Sequence, residues 1–227
     1  LYDFIILLEK DSFLLEVNSN IINSLIDEMK KYDIRKDISL ELQESFDTKV
    51  IIKENLTKNY YEKINIMKVY REEGFACFLD PRAKDFLYRF WFYKKPNSLL
   101  NLKFSKEKEV EKKRISNKIP NSELDLIYNK SFILNYNFEN INALSFNKGC
   151  YIGQENTARQ KFRGTQKYSL QKIKIINGDI PELNDNIFYR QAKVGIMKSR
   201  CDDIALCLMR NDLTKDNTDL LKTDNNF

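Results

Sequence analysis

Glycine, the residue that most easily turns a chain, is scarce here. The 227 residues contain six glycines, and Gly149, Gly153 and Gly164 all fall in the stretch NKGCYIGQENTARQKFRG at 147–164. Glycines on both sides of Cys150-Tyr151-Ile152 let the backbone take conformations closed to other residues and let a ligand approach closely. After Gly153, QENTARQKF is expected to start a helix with Glu155 and Arg159 four apart on one face. The amides at that helix start can hold an anion or a carbonyl, and Lys148 and Arg163 add positive charge on either side. Cys150 is a candidate reactive thiol, its thiolate favoured by Lys148 and the helix N-terminus. The competing reading is a packed cysteine. Cys77, Cys201 and Cys207 sit in apolar runs and are expected to pack.

Composition narrows the chemistry. There is no histidine. This excludes Ser-His-Asp and Cys-His catalysis, histidine-bearing zinc sites and the usual base near neutral pH. Four cysteines with no C-x-x-C pair argue against a disulfide scaffold and for reduced thiols in a cytosol-like compartment. A hydrophobic content of 42% with 31% charged residues allows a real core, and no apolar run is long enough for a membrane span. The net charge of +5 is uneven: residues 94–118 carry nine Lys/Arg against three Asp/Glu, and residues 148–174 carry seven against one. Such runs are either a solvated face or a cleft that draws an anionic ligand.

The apolar pattern reads as α+β. FIILLE (4–9) and FLLEV (13–17) suggest a hairpin. The following stretch repeats Ile21, Ile22, Leu25, Ile26 and Met29 at helical spacing, with Asn18, Ser19 or Asn20 as cap. Short strands are expected at 38–42, 50–52, 66–70 and 75–79. Asp80-Pro81-Arg82 has turn chemistry. FLYRFWFYK (86–94) reads as a core strand, or less simply as a stacking platform for bases. SKEKEVEKKRIS (105–116) reads as an exposed helix capped by serine. Beyond the motif, YSLQKIKII, NIFYR, KVGIMKS and DIALCLMR are strand-like segments of a small antiparallel barrel or sandwich. The division expected is an α+β region at 1–165, a small β-barrel at 166–212, and a polar tail at 213–227.

K-G-C-Y-I-G-Q-E (148–155) resembles the signature of the YgfZ family of folate-binding proteins of iron–sulfur cluster assembly, which is related to the T-protein aminomethyltransferase of the glycine cleavage system. A-L-S-F-N before it and T-A-R and R-G after it resemble the same family. So do F-L-D-P-R (78–82), Y-D-I-R (32–35), L-Y-D-F (1–4) and residues 187–210. The resemblance implies interleaved α+β folate-binding domains of the aminomethyltransferase type followed by a C-terminal β-barrel, with the family's opening segment missing ahead of Leu1. It implies tetrahydrofolate, possibly polyglutamylated, as ligand, and help in maturing [4Fe–4S] enzymes, among them radical-SAM enzymes that modify tRNA. The implied partners are folate, the iron–sulfur assembly machinery and its client enzymes, with neither a membrane nor a stable nucleic acid. The compartment would be the bacterial cytoplasm, or the mitochondrial matrix in a eukaryote.

On this reading the ligand site is Lys148, Gly149, Tyr151, Gly153, Gln154, Glu155, Arg159 and Arg163. Cys150 is its functional thiol, in transient contact with a cluster, a persulfide or another thiol, and no resident metal is expected. Amide and carboxylate suit a flat pterin, and the cations suit an acidic glutamate tail. The chain departs from the family pattern at Ile133 and Asn135, where a proline and a glutamate are usual. Asp3-Phe4 also stands where the aminomethyltransferase has paired aspartates. Two further readings stay open: a folate-dependent aminomethyltransferase, which needs a positioned acid or base, and an RNA-binding protein.

Overall fold

The computed structural model describes residues 2–83, 85–94, 102–128, 130–164, 166–176, 181–189, 191–214 and 222–223. Residues 95–101 of the first basic run and most of the polar tail lie outside this set. The chain gathers into two compact units, Leu1–Leu79 with Tyr88–Phe104, and Asp80–Leu87 with Ser105–Phe227.

The first unit contains β1 (Phe4–Leu8), β2 (Phe13–Val17), α1 (Ile22–Tyr32), β3 (Asp47–Ile52), α2 (Lys58–Met67), β4 (Val69–Glu72), β5 (Phe75–Leu79) and β6 (Leu87–Phe92). β1 and β2 form the expected hairpin, and Asn18 caps the short 3₁₀ turn that leads into α1 by accepting from the Asn20 amide at 2.9 Å. The other four strands form a sheet in the order β3-β6-β5-β4. Side chains alternate across a strand, and here each face has its own core. Phe75, Cys77, Tyr88, Phe90 and Phe92 pack with Ile64 of α2 on one face. Ala76, Phe78 and Trp91 pack with Ile5 and Leu7 of the hairpin on the other. All six residues of β6 are buried as a result. Glu16 of β2 accepts from Arg89 and from the Trp91 indole, which clamps the hairpin to the sheet.

Two expected strands are not as read. Residues 38–42 form no strand, and Ile38 and Leu42 are 60% and 56% exposed. Their alternation is that of a strand, but no neighbour covers it. Residues 66–70 straddle a helix end and a strand start: α2 closes at Met67, Lys68 takes φ +64, and β4 begins at Val69. The left-handed residue lets the chain leave the helix and reverse into the sheet.

The second unit contains α3 (Glu107–Ser116), α4 (Gln154–Phe162), β7 (Tyr168–Lys174), β8 (Asn186–Tyr189), β9 (Ala192–Cys201), β10 (Ile204–Arg210), α5 (Asn211–Thr214) and β11 (Lys222–Thr223). The N-cap of α3 is Lys106 rather than a serine; its backbone N–H donates to Glu109 Oε2 at 3.4 Å, so an acidic residue one turn on does the capping. The strands form one antiparallel sheet in the order β11-β8-β9-β10-β7. Among the described residues no ladder joins β7 to β11, so the expected barrel is an open sheet. Closure needs the first and last strands to meet in a fixed stagger, and here β7 pairs with β10. β11 comes from the segment read as a polar tail, and its backbone pairs with Ile187 and Phe188 of β8.

The sheet of this unit is fastened to α3 through a buried carboxylate. Asp125 is fully buried. It accepts from the Asn121 and Ser199 amides, each at 2.7 Å, and from Arg114 Nη1 at 3.2 Å. Arg114 also donates to Glu111 and to Ser199 Oγ. A buried charge is tolerated when it is paired and hydrogen-bonded in this way.

Candidate functional site around Cys150

The site belongs to the second unit and is built on one helix and the loop before it. α4 begins at Gln154 as expected, with Gly153 as N-cap at φ +83. Glycine alone takes that conformation without strain. Thr157 Oγ1 donates to the Gly153 carbonyl at 3.0 Å, which secures the first turn. The loop is tied to the helix start twice: the Gln154 amide donates to the Tyr151 carbonyl at 3.1 Å, and Gln154 Oε1 accepts from the Tyr151 amide at 3.3 Å. Gln154 is therefore first a loop-fixing residue, with its side-chain NH₂ left for other work.

Two further ties hold α4 from behind. Gln160 Nε2 donates to Oδ1 of buried Asn135 at 2.7 Å. Lys161 pairs with Glu139 and lies 4.3 Å from the Phe146 ring centroid. The Asp80-Pro81-Arg82 turn anchors the same region. Fully buried Asp80 accepts from the Arg82 amide at 2.8 Å, and Asn142 Nδ2 donates to the Pro81 carbonyl at 2.8 Å.

On this frame the expected residues separate by environment. Lys148, Gly149, Cys150, Gly153, Glu155, Arg159 and Arg163 are exposed, while Tyr151 and Gln154 are half-buried. Glu155 and Arg159 form the expected ion pair at 2.6 Å. Both side chains are more than half exposed, so solvent screens the pair and its contribution to stability is small. Lys148 Nζ stands 4.6 Å from the Tyr151 ring centroid, a cation–π contact. The Tyr151 hydroxyl is buried and has no hydrogen-bond partner. A Cβ placed on Gly149 or Gly153 would meet no atom within 4 Å, so the space beside both glycines is open.

The four thiols divide as the sequence suggested. Cys150 is exposed and the other three are buried. Burial pushes the Cys77 and Cys207 thiols up to about 12, and raises Cys201 as well. Thiolate chemistry near neutral pH is therefore closed to them.

The basic run at 94–118 is differently used. Lys108 pairs with Asp202 at 2.7 Å, Lys112 with Asp203 at 3.8 Å, and Arg114 with Glu111 and Asp125. Its described helical part thus binds α3 to the β9–β10 hairpin of the same unit. Sequence reasoning missed Gln160, which carries no motif. It singled out Asn135 only as a departure from a family pattern, whereas here that side chain is the buried anchor of α4.

The site is thus a thiol-bearing loop on a glycine-capped helix start within an α+β chain. No family model matches the chain, but curated proteins do. It is 25% identical over 160 residues to the iron–sulfur cluster assembly factor IBA57 homolog, mitochondrial, of Dictyostelium discoideum, covering 68% of this chain and 39% of that protein. It is 28% identical over 178 residues to the IBA57 homolog of Neurospora crassa, covering 77% and 40%. It is 35% identical over 89 residues to the tRNA-modifying protein YgfZ of Aliivibrio fischeri, covering 35% and 28%. The chain is thus similar to both the IBA57 and the YgfZ proteins over part of their length. It spans about two-fifths or less of the length of these relatives.

Proposed function

We propose that the chain is a tetrahydrofolate-binding accessory factor in the maturation or repair of [4Fe–4S] proteins, tRNA-modifying enzymes among them, with Cys150 as its functional thiol. The observation that carries this is the exposed Cys150 in a loop that Gly153 and Gln154 fix against α4. The names of the relatives, an iron–sulfur cluster assembly factor and a tRNA-modifying protein, support the same reading. Partners would be the assembly machinery and its clients, in the cytoplasm or the mitochondrial matrix. Among the described residues, no helix is long and apolar enough to cross a membrane.

The residues present fit a folate. The open space at Gly149 and Gly153 lets a flat ring approach the loop. Lys148, Arg159 and Arg163 suit an acidic tail. Folate would supply that ring and tail as the recognised ligand, and the chain's own side chains would hold and orient it. The folate-binding domain arrangement of the aminomethyltransferase type belongs to this proposal. The transferase reading itself has only Asp3 where two neighbouring aspartates are wanted.

The test is titration calorimetry with tetrahydrofolate against the chain and its Glu155→Ala/Arg159→Ala variant. Affinity should fall in the variant. It should also fall with added salt and rise with added glutamates on the ligand, because the tail meets localised charge. Unchanged affinity in the double variant would sink the assignment.

A further inference from the structure

Two exposed features of this chain carry opposite charge, and each sets that charge around a pair of apolar side chains. The first is the segment DISLELQE at 37–44, which holds three carboxylates and no base. Ile38 and Leu42 stand in solvent, as do Asp37, Glu41 and Glu44. None of the three carboxylates is in an ion pair among the described residues. The start of the segment is fixed: Asp33 accepts from the amides of Asp37 and Ile38 at 3.0 Å and 3.2 Å, closing the turn that holds Arg35 and Lys36.

The second is the outward face of α4. Ile152, just ahead of the helix, is 74% exposed, and Phe162 at its end is 73% exposed. Glu155, Arg159 and Phe162 recur at the spacing of one helix face, with Thr157 buried behind them. The charges of Glu155 and Arg159 meet each other at 2.6 Å. Lys148 lies before Ile152 and Arg163 after Phe162. Both are exposed, and neither meets a carboxylate among the described residues.

The two features match in order and in length. Drawn out as a strand, Ile38 and Leu42 lie on one side, about 13 Å apart. Ten residues at helical rise separate Ile152 from Phe162 by about 15 Å. The apolar pair of the segment has Asp37 and Glu44 beyond its ends, and the apolar pair of the helix has Lys148 and Arg163 beyond its own. A nucleic acid suits the helix face less well, because Glu155 sits on it and Ile152 has no ring on which a base could stack.

We infer that the outward face of α4 docks the 37–44 segment of a second copy of this chain. The inference is independent of the folate reading. Two apolar side chains and two end charges on each side make a small contact, so association is weak and sensitive to salt.

Analytical ultracentrifugation over a range of protein concentrations tests it. At low salt the average mass should rise with concentration. It should return to the monomer mass in about 1 M salt, where the screening length is about 3 Å. Lys148→Glu/Arg163→Glu and Asp37→Lys/Glu44→Lys change only exposed side chains, and each variant alone should associate at least about tenfold more weakly. Mixed in equal amounts they should associate as the parent does, because the reversed helix face of one meets the reversed segment of the other. A parent that stays monomeric at every concentration overturns the inference and leaves the face to a different partner. Association that survives both reversals overturns it too, since another surface is then responsible. So does a mixture that associates no better than either variant alone.

Discussion

Gln160 reaches from α4 to the buried side chain of Asn135, Nε2 to Oδ1 at 2.7 Å, and so ties the helix that carries the candidate site to a 3₁₀ turn more than twenty residues earlier. Gln160→Ala should remove that tie and leave Asn135 Oδ1 without its donor. The expected loss is about 1 kcal/mol in chemical denaturation, the usual cost of a lost hydrogen bond at a buried amide. Gln160→Glu should be worse than Ala at neutral pH, because a carboxylate would face an acceptor oxygen. A Glu variant as stable as the parent would mean that the Asn135 amide turns over to donate.

Cys150 should be alkylated first. At pH 8 its exposed thiol should react with iodoacetamide while Cys77, Cys201 and Cys207 stay unmodified until the protein unfolds. Two effects act together: burial blocks the reagent, and thiols raised to about 12 at Cys77 and Cys207 hold almost no thiolate. Peptide mass spectrometry over a time course gives the order. Early labelling of Cys207 would contradict the sheet packing described above.

Lys198 should make stability rise with pH in the alkaline range. It is 1% exposed within β9, and its Nζ donates to Asn184 Oδ1 at 2.9 Å. Burial lowers its pKa below the ordinary lysine value, and Asp125 opposes the shift in part. Between the folded and the ordinary value the unfolded chain binds more protons, so stability increases with pH across that window and is lower and flat below it. Lys198→Met should abolish the rise and be at least as stable as the parent at pH 7. Denaturation at pH 7 and pH 10 tests both halves, and a Met variant clearly weaker at pH 7 would show the ammonium to be a net stabiliser.

Two glycines should behave oppositely. A Cβ on Gly195 would sit 2.3 Å from Met209 Sδ and 2.9 Å from the Leu208 carbonyl oxygen, where β9 meets β10. Gly195→Ala should cost about 3 kcal/mol, at the upper end of overpacking effects. Gly149→Ala meets nothing within 4 Å, and should change stability by no more than about 0.5 kcal/mol. If Gly149→Ala nevertheless weakens tetrahydrofolate binding, the open space beside it is where the ligand lies.

Much of this was legible locally. The helix after Gly153 follows from a glycine cap and a good helix-forming run, and β5 follows from an apolar block ended by Asp80-Pro81. The hairpin and the strands β7 to β10 show in their alternation. What failed was non-local. Residues 38–42 alternate correctly yet have no neighbour to pair with, and α2 was missed because IMKVY looks continuous until Lys68 turns left-handed. Whether β7 closes onto the far edge of its sheet is a property of register summed over strands. Asp125 was invisible for the same reason: nothing around it in sequence says that Arg114 and Ser199 will converge there.

The burial of β6 on both faces has a consequence for how the first unit comes apart. Tyr88, Phe90 and Phe92 serve one core and Trp91 the other, so both depend on the same six residues of backbone. Neither can open while the other persists, and the two should unfold in a single cooperative step. The amides of β6 should then be the last in this unit to exchange with deuterium, and their rate should report its global unfolding rather than any local breathing.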